Sequence, residues 1–472
     1  MKLSRWLAAI VLLYACSVFG VSTKTFEDSQ STDFKSGKCE NVVISNMGKI
    51  SLGAEISKLL ENRSDVSTVF DVRILPNGSL AAATGPEGLL LVYQNKKWEK
   101  FFKSDQPYIF SIEISQDGKI YAGTGGTVGK VLEISADGKN SKVLFENKKI
   151  QYIWNLKRMP EDKILASTGP TGKLFLIDKS GGKEIFSCKQ KNLQAMAVDK
   201  DLVIYIGTDE GGIVYKIHQQ EGKYVSRALY DAKEEEISSL AIDEDGNLYA
   251  ATASKNTASD QARSYLTKPQ GTPSVTTTRA TTKPAVTATA PAKRAAPIRK
   301  RADIPATQAA AKSIQQTQPS AGMIPMSPPS AGGNAVYRID QFGFVGQVFR
   351  DQVNINSMII EKGILYLGTG PDGYIFAVNP ATEEITLYAK SGAGFVNSVR
   401  LSGDKGIVLA TGNPGQVIKL GPKLAGRGKF TSKVFDAGQI SQWGTINVTC
   451  EFKGALSVQT RTSIIADPED QG

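Results

Sequence analysis

The residues able to do acid–base, nucleophilic or metal chemistry are few. The chain of 472 residues holds one histidine, His218, and four cysteines, Cys16, Cys39, Cys188 and Cys450. A lone histidine removes Ser-His and Cys-His nucleophilic pairs unless His218 itself serves, and it removes a histidine-rich metal centre. His218 stands before Gln219-Gln220 and reads as an exposed residue near a polar turn. Asp117, Asp243, Asp245 and Asp404 lie in short polar turns and read as turn formers. Calcium held by carboxylates and amides in a channel is the one metal chemistry left open, and no matching ligand set is visible. Gly85-Pro-Glu-Gly88 and its relatives could be mistaken for phosphate loops. Such a loop must open a helix, whereas these lead into strands. No catalytic residue, metal ligand or cofactor is assigned on this basis.

The elements that would position any site come from a repeat. Leu80-Ala-Ala-Ala-Thr84, Ile120-Tyr-Ala-Gly-Thr124, Ile164-Leu-Ala-Ser-Thr168, Ile204-Tyr-Ile-Gly-Thr208, Leu248-Tyr-Ala-Ala-Thr252, Leu365-Tyr-Leu-Gly-Thr369 and Val408-Leu-Ala-Thr411 align on one threonine. Successive spacings are 40, 44, 40, 44, 117 and 42 residues. Each unit has a strand, a polar turn such as Pro76-Asn77-Gly78, the strand ending at the threonine, a Gly-rich turn, a third strand and a more polar fourth. Four antiparallel strands per unit, seven times over, predict an all-β, seven-bladed β-propeller with four-stranded blades, spanning 67–254 and 335–436. No blade buries both faces alone, but a ring of them does.

Aligning the units singles out one position near the start of each first strand: Phe70, Phe110, Trp154, Gln194, Ser238, Asn356 and Asn397. Three consecutive units offer aromatics there, with Tyr108 and Tyr152 two residues earlier, and the rest offer polar side chains. Strand ends at a channel mouth are where propellers hold ligands. A half-aromatic, half-amide rim suits a glycan or an extended peptide. Packing between neighbouring blades is the plainer role for the same rings.

The long spacing contains a Thr/Ala/Pro-rich segment, 255–334, inside the fifth unit. Its eleven Lys and Arg against two Asp account for +9 of the formal +10, so the ring is nearly neutral. Its composition predicts a disordered arm, basic at Lys293, Arg294, Arg299, Lys300 and Arg301. The arm is either a solvated spacer or a contact for an anionic surface, and nothing in it points to a specific nucleic acid. Residues 1–22 read as a secretory signal, with Lys2 and Arg5 before an apolar run. Export to the periplasm or the exterior follows, with lipid attachment at Cys16 as the lesser alternative. Residues 39–66 read as a hairpin, Val42–Ser45 and Lys49–Leu52, plus a connection. The hairpin either closes the last blade or covers one face. Cys39 and Cys450 pair only if the chain ends meet. After the last blade, 437–472 reads as the start of a β-sandwich, with strands Thr445–Phe452 and Leu456–Thr462, cut short.

The phrases Tyr366-Leu-Gly-Thr-Gly-Pro-Asp-Gly-Tyr-Ile-Phe-Ala-Val and Val336-Tyr-Arg-Ile-Asp340 resemble those of exported bacterial WD40-like or quinoprotein-like propeller repeat proteins of unknown function. That resemblance implies a low-complexity insert in a late blade and a C-terminal sandwich beginning like Ser432-Lys-Val-Phe-Asp-Ala-Gly. It transfers no catalytic residue. The expected role is therefore a non-enzymatic, monomeric binding or assembly module with a protein or glycan ligand at the channel mouth. The alternative is a lactonase-like hydrolase or lyase with calcium in the channel.

Overall fold

The computed structural model describes residues 25–28, 31–34, 37–254, 332–436, 438, 442, 444–450 and 454–462. The signal segment with Cys16, the basic cluster Lys293–Arg301 and Trp443 lie outside these residues. Apart from one helical turn, Ser31–Phe34, the described elements are strands.

The strands pair in successive antiparallel groups. Unit 1 is Val66–Ile74, Leu80–Pro86, Leu89–Gln94 and Lys97–Lys103, paired in that order. The innermost strands of units 2 to 7 are Tyr108–Ile114, Tyr152–Arg158, Leu193–Val198, Glu236–Ile242, Asn354–Glu361 and Phe395–Leu401. Each lies against the innermost strand of the next unit, and Phe395–Leu401 lies against Val66–Ile74, so the described units form a closed ring.

The apolar pattern explains the ring. In the second strand of unit 1, Leu80 and Ala82 pack toward unit 7, while Ala81 and Ala83 pack toward unit 2. Both faces are buried, so the strand shows no polar alternation. Seven hydrophobic clusters among the described residues each straddle one boundary between neighbouring units.

The recurring threonine has a definite task. All seven are fully buried, and each hydroxyl donates across the Gly-rich turn, as from Thr84 to the Leu89 carbonyl (2.8 Å), Thr168 to Lys173 (2.8 Å) and Thr369 to Tyr374 (3.0 Å). Asp404 accepts from Ser402, Lys419 and the Gly406 amide, and these contacts hold its carboxyl down at about 2.

The ring closes in a way the sequence left open. Strand Ala54–Leu60, predicted only as connection, pairs with Val417–Leu424 as the outer strand of unit 7. The hairpin Val42–Ser45 and Ile50–Leu52 extends unit 6 instead, through Ile44 opposite Leu387 and Ser45 opposite Thr386. Lys38–Glu40 pairs with Lys429–Thr431 in a separate ribbon. Residues 444–450 and 454–462 are exposed and pair in no sheet among the described residues, while Glu451 and Phe452 of the expected strand Thr445–Phe452 lie outside them. Cys39 and Cys450 are both exposed free thiols, so the structure does not join them.

Unit 5 is whole despite its interruption. Leu248–Ala253 pairs with Asn334–Ile339, whose start lies just before the predicted Val336. The Thr252 hydroxyl donates to the Ala335 carbonyl (3.2 Å) and accepts from its amide (2.9 Å), as the other threonines do across short turns. The Arg350 guanidinium holds the returning Gly333 carbonyl (3.0 Å) and pairs with the buried Glu234 (2.9 Å). Joining Ser254 directly to Gly332, which leaves a turn about as long as that of unit 6, is therefore expected to leave the melting temperature unchanged or raised. Shortening the loop removes at most about 3 kcal/mol of closure entropy. Thermal unfolding of the two chains checks this.

Candidate functional site: the rim of the channel

The seven positions singled out by alignment share one backbone feature. In unit 1 Val69 faces Thr84 and Asp71 faces Ala83, so Phe70 is the extra residue of a β-bulge. The same register shift sets apart Phe110, Trp154, Gln194, Ser238, Asn356 and Asn397. In each unit the residue before the bulge faces the recurring threonine. A bulge breaks the ladder and re-aims its side chain. Because first strands start and second strands finish at the same end, all seven bulges stand at one mouth of the ring, beside the Gly-rich turns.

The aromatic arc is continuous. Phe110 lies 4.9 Å from Phe70 and 4.9 Å from Trp154, centroid to centroid. Tyr108 stacks on Phe110 (5.5 Å, 20°) and Tyr152 on Trp154 (4.8 Å, 28°). Phe110 is 7% exposed and buttresses the others, while Phe70, Tyr108, Tyr152 and Trp154 are half-buried. Four of the five rings that pack between these units are thus also partly exposed at the mouth. The glycine after the threonine makes room for them. A Cβ on Gly85 would lie 2.5 Å from Tyr108, and one on Gly125 2.2 Å from Phe110. Burial and the neighbouring Tyr108 raise the Tyr152 hydroxyl above the usual phenol range, so it is neutral at physiological pH.

Trp154 is held in place by a relay that the alignment missed. Its indole N–H donates to Asn192 Oδ1 (3.0 Å), and Asn192 donates to Asp209 through its side chain (2.5 Å) and its backbone amide (2.8 Å). Asn192 aligns with Tyr108 and Tyr152, and that alignment was the signal available for it. The amide arc is stitched across units: Asn155 donates to the Gln194 carbonyl (2.6 Å), Ser238 to the Ile355 carbonyl (2.5 Å) and Asn397 to the Val69 carbonyl (3.0 Å). The side-chain amides of Gln194 and Asn356 and the hydroxyls of Tyr108 and Tyr152 make no hydrogen bond within the described residues.

Deeper along the innermost strands lies a charged clasp. Asp71, 3% exposed, accepts from Arg400 Nη2 (2.8 Å) and Ser398 (2.8 Å) of unit 7, from Arg73 (3.2 Å) and from the Ile112 amide (3.3 Å) of unit 2. Arg73 also pairs with Glu113 (3.2 Å). Burial pushes the Asp71 carboxyl up, but the two guanidiniums, Ser398 and the Ile112 amide outweigh it and leave the pKa lowered.

Among the described residues no three His, Cys, Asp or Glu side chains converge to hold a metal ion. Asp209 is engaged by Asn192 and Asp71 by arginines. A shallow open depression on unit 1, lined by Ser64, Asp65, Glu87, Lys100 and Lys103, contains none of the rim residues.

No family model matches the chain, and no curated protein matches its sequence. Solved structures do match its fold. A streptogramin B lyase superposes with a TM-score of 0.52 at 9% identity, over 78% of this chain and 97% of that one. A catalytically inactive virginiamycin B lyase from Staphylococcus aureus with quinupristin gives 0.51 at 9% identity, over 77% and 98%. The WD40 β-propeller domain of Doa1 gives 0.50 at 9% identity, over 78% and 97%. At such identity the likeness speaks for the fold alone, and it identifies the described units as a β-propeller.

Proposed function

We propose that the chain is an exported, seven-bladed β-propeller that acts as a monomeric, non-enzymatic binding or assembly module. It takes a protein or glycan ligand at the rim formed by Phe70, Phe110, Trp154, Gln194, Asn356 and Asn397. One observation carries this reading: seven bulges aim seven side chains at one mouth, where stacked rings and unengaged amides remain half-exposed. The structural neighbours include lyases and a WD40 domain, so fold likeness favours neither enzyme nor binder. A calcium-dependent hydrolase or lyase needs converging carboxylates, and the described channel offers arginine-bound Asp71 instead.

The test is a calorimetric screen of the intact protein against soluble oligosaccharides and extended peptides, repeated with Trp154→Ala. Binding weakened about tenfold or more by the substitution, for roughly 1.4 kcal/mol of lost stacking, supports the rim. Unchanged binding, or a large thermal shift with Ca²⁺ together with a stoichiometric metal, contradicts it. The basic arm supplies a second contact in this reading. Deleting 255–331 is expected to abolish salt-sensitive binding to anionic vesicles while the propeller stays folded.

A further inference from the structure

We infer that the ligand of this rim is a neutral saccharide. The inference rests on the binding reading above and narrows it to one ligand class. Charge is the first argument. The side chains left unengaged at the bulges and two residues before them, Tyr108, Tyr152, Gln194 and Asn356, are uncharged, while Lys148, Lys149, Lys189 and Lys233 stand in the loops leading to the innermost strands. Asp209 is held by Asn192 (2.5 Å), Lys191 by Glu210 (2.7 Å) and Lys130 by Asp105 (2.6 Å). At those four uncharged groups a charged ligand would lose hydration and gain no counter-charge from them.

Hydrogen-bond character is the second. Phenol hydroxyls and carboxamides each donate and accept, as sugar hydroxyls do, so either sense of bond can form. A peptide backbone instead presents separate N–H and C=O groups, and it is best matched by a long free strand edge. Here the ladder breaks at a bulge in every innermost strand, and each unit brings its bulge side chain to the mouth. Groups set around a circle suit a ligand whose polar atoms radiate from a ring. The third argument is the Trp154 indole. Asn192 engages its N–H (3.0 Å), so what the half-buried residue offers a ligand is the part of its ring that Phe110 and Tyr152 leave uncovered, an apolar surface of the kind a pyranose face covers.

The experiment titrates the intact protein with neutral gluco- and chito-oligosaccharides, with an oligogalacturonate of matched length, and with uncharged extended peptides. Gln194→Ala and Asn356→Ala are the variants, because neither side chain has an intramolecular partner and folding is kept. The expected result is binding of a neutral oligosaccharide that is insensitive to salt and about tenfold weaker in each variant, the cost of one hydrogen bond. Tighter binding of the oligogalacturonate overturns the neutral-saccharide inference. Rim-dependent binding of peptides alone also overturns it, yet leaves the binding module standing. If no probe binds, or if binding ignores both variants and Trp154→Ala, the inference and the binding reading fall together.

Discussion

Asp71→Ala is expected to destabilise the protein by about 3–5 kcal/mol, the usual cost of removing one partner from a buried ion pair. The carboxylate joins three units: Arg400 and Ser398 of unit 7, Arg73 of its own strand and the Ile112 amide of unit 2. Without it two guanidiniums face each other in a site that is mostly closed to water, with side-chain exposures of 24% and 27%. Asp71→Asn keeps the shape and is expected to cost less. The pH dependence follows from the lowered carboxyl. Its stabilising contribution is complete above the unfolded aspartate value near 4, and it is lost as pH falls below that value through the folded one. Denaturant unfolding at neutral pH and at successively lower pH checks both points. The gap between wild type and Asp71→Asn is expected to narrow with acid, and a gap constant down to the lowest pH contradicts the clasp.

Removing the closing strand has an equally large expected effect. Deletion of everything through Leu60 leaves unit 7 with three strands and uncovers Val417, Ile418 and Leu420, all now at most 1% exposed. It also removes buried Leu60 and the Leu59 carbonyl that accepts the Trp98 indole N–H (2.9 Å). Two or three buried aliphatic side chains and several ladder bonds amount to about 5 kcal/mol or more, which approaches the whole stability of an ordinary domain. The truncated chain is expected to lose cooperative unfolding. Deletion ending at Leu52 removes the hairpin on unit 6, the ribbon strand Lys38–Glu40 and the turn Ser31–Phe34 but keeps the closing strand, and it is expected to leave a cooperative transition. Near-ultraviolet circular dichroism during heating separates the two outcomes.

The two predictions rest on features of different legibility. The recurring threonine was plain because each unit closes the same turn on one buried hydroxyl. The rim was legible for a related reason: the bulge lies at a fixed offset from the threonine, so alignment found the positions although it could not show the bulge. Ala54–Leu60 stayed hidden because an outer strand turns Glu55, Ser57 and Lys58 to water and lacks a clear apolar alternation. The clasp was hidden by distance, since Arg400 lies 329 residues from Asp71. The alternation of Thr445–Phe452 is that of a strand, but a strand also needs a neighbour to pair with, and none lies among the described residues.

The most direct test is the fluorescence of Trp154 in a protein carrying Trp6→Phe, Trp98→Phe and Trp443→Phe. With the other three of the four tryptophans removed, the signal reports the rim alone. Titration with a neutral oligosaccharide is expected to shift or quench the emission saturably, with the same midpoint as calorimetry. Asn192→Ala, which frees the indole, is expected to weaken the response. Calorimetric binding with no change in Trp154 emission would place the ligand elsewhere on the propeller and contradict the account.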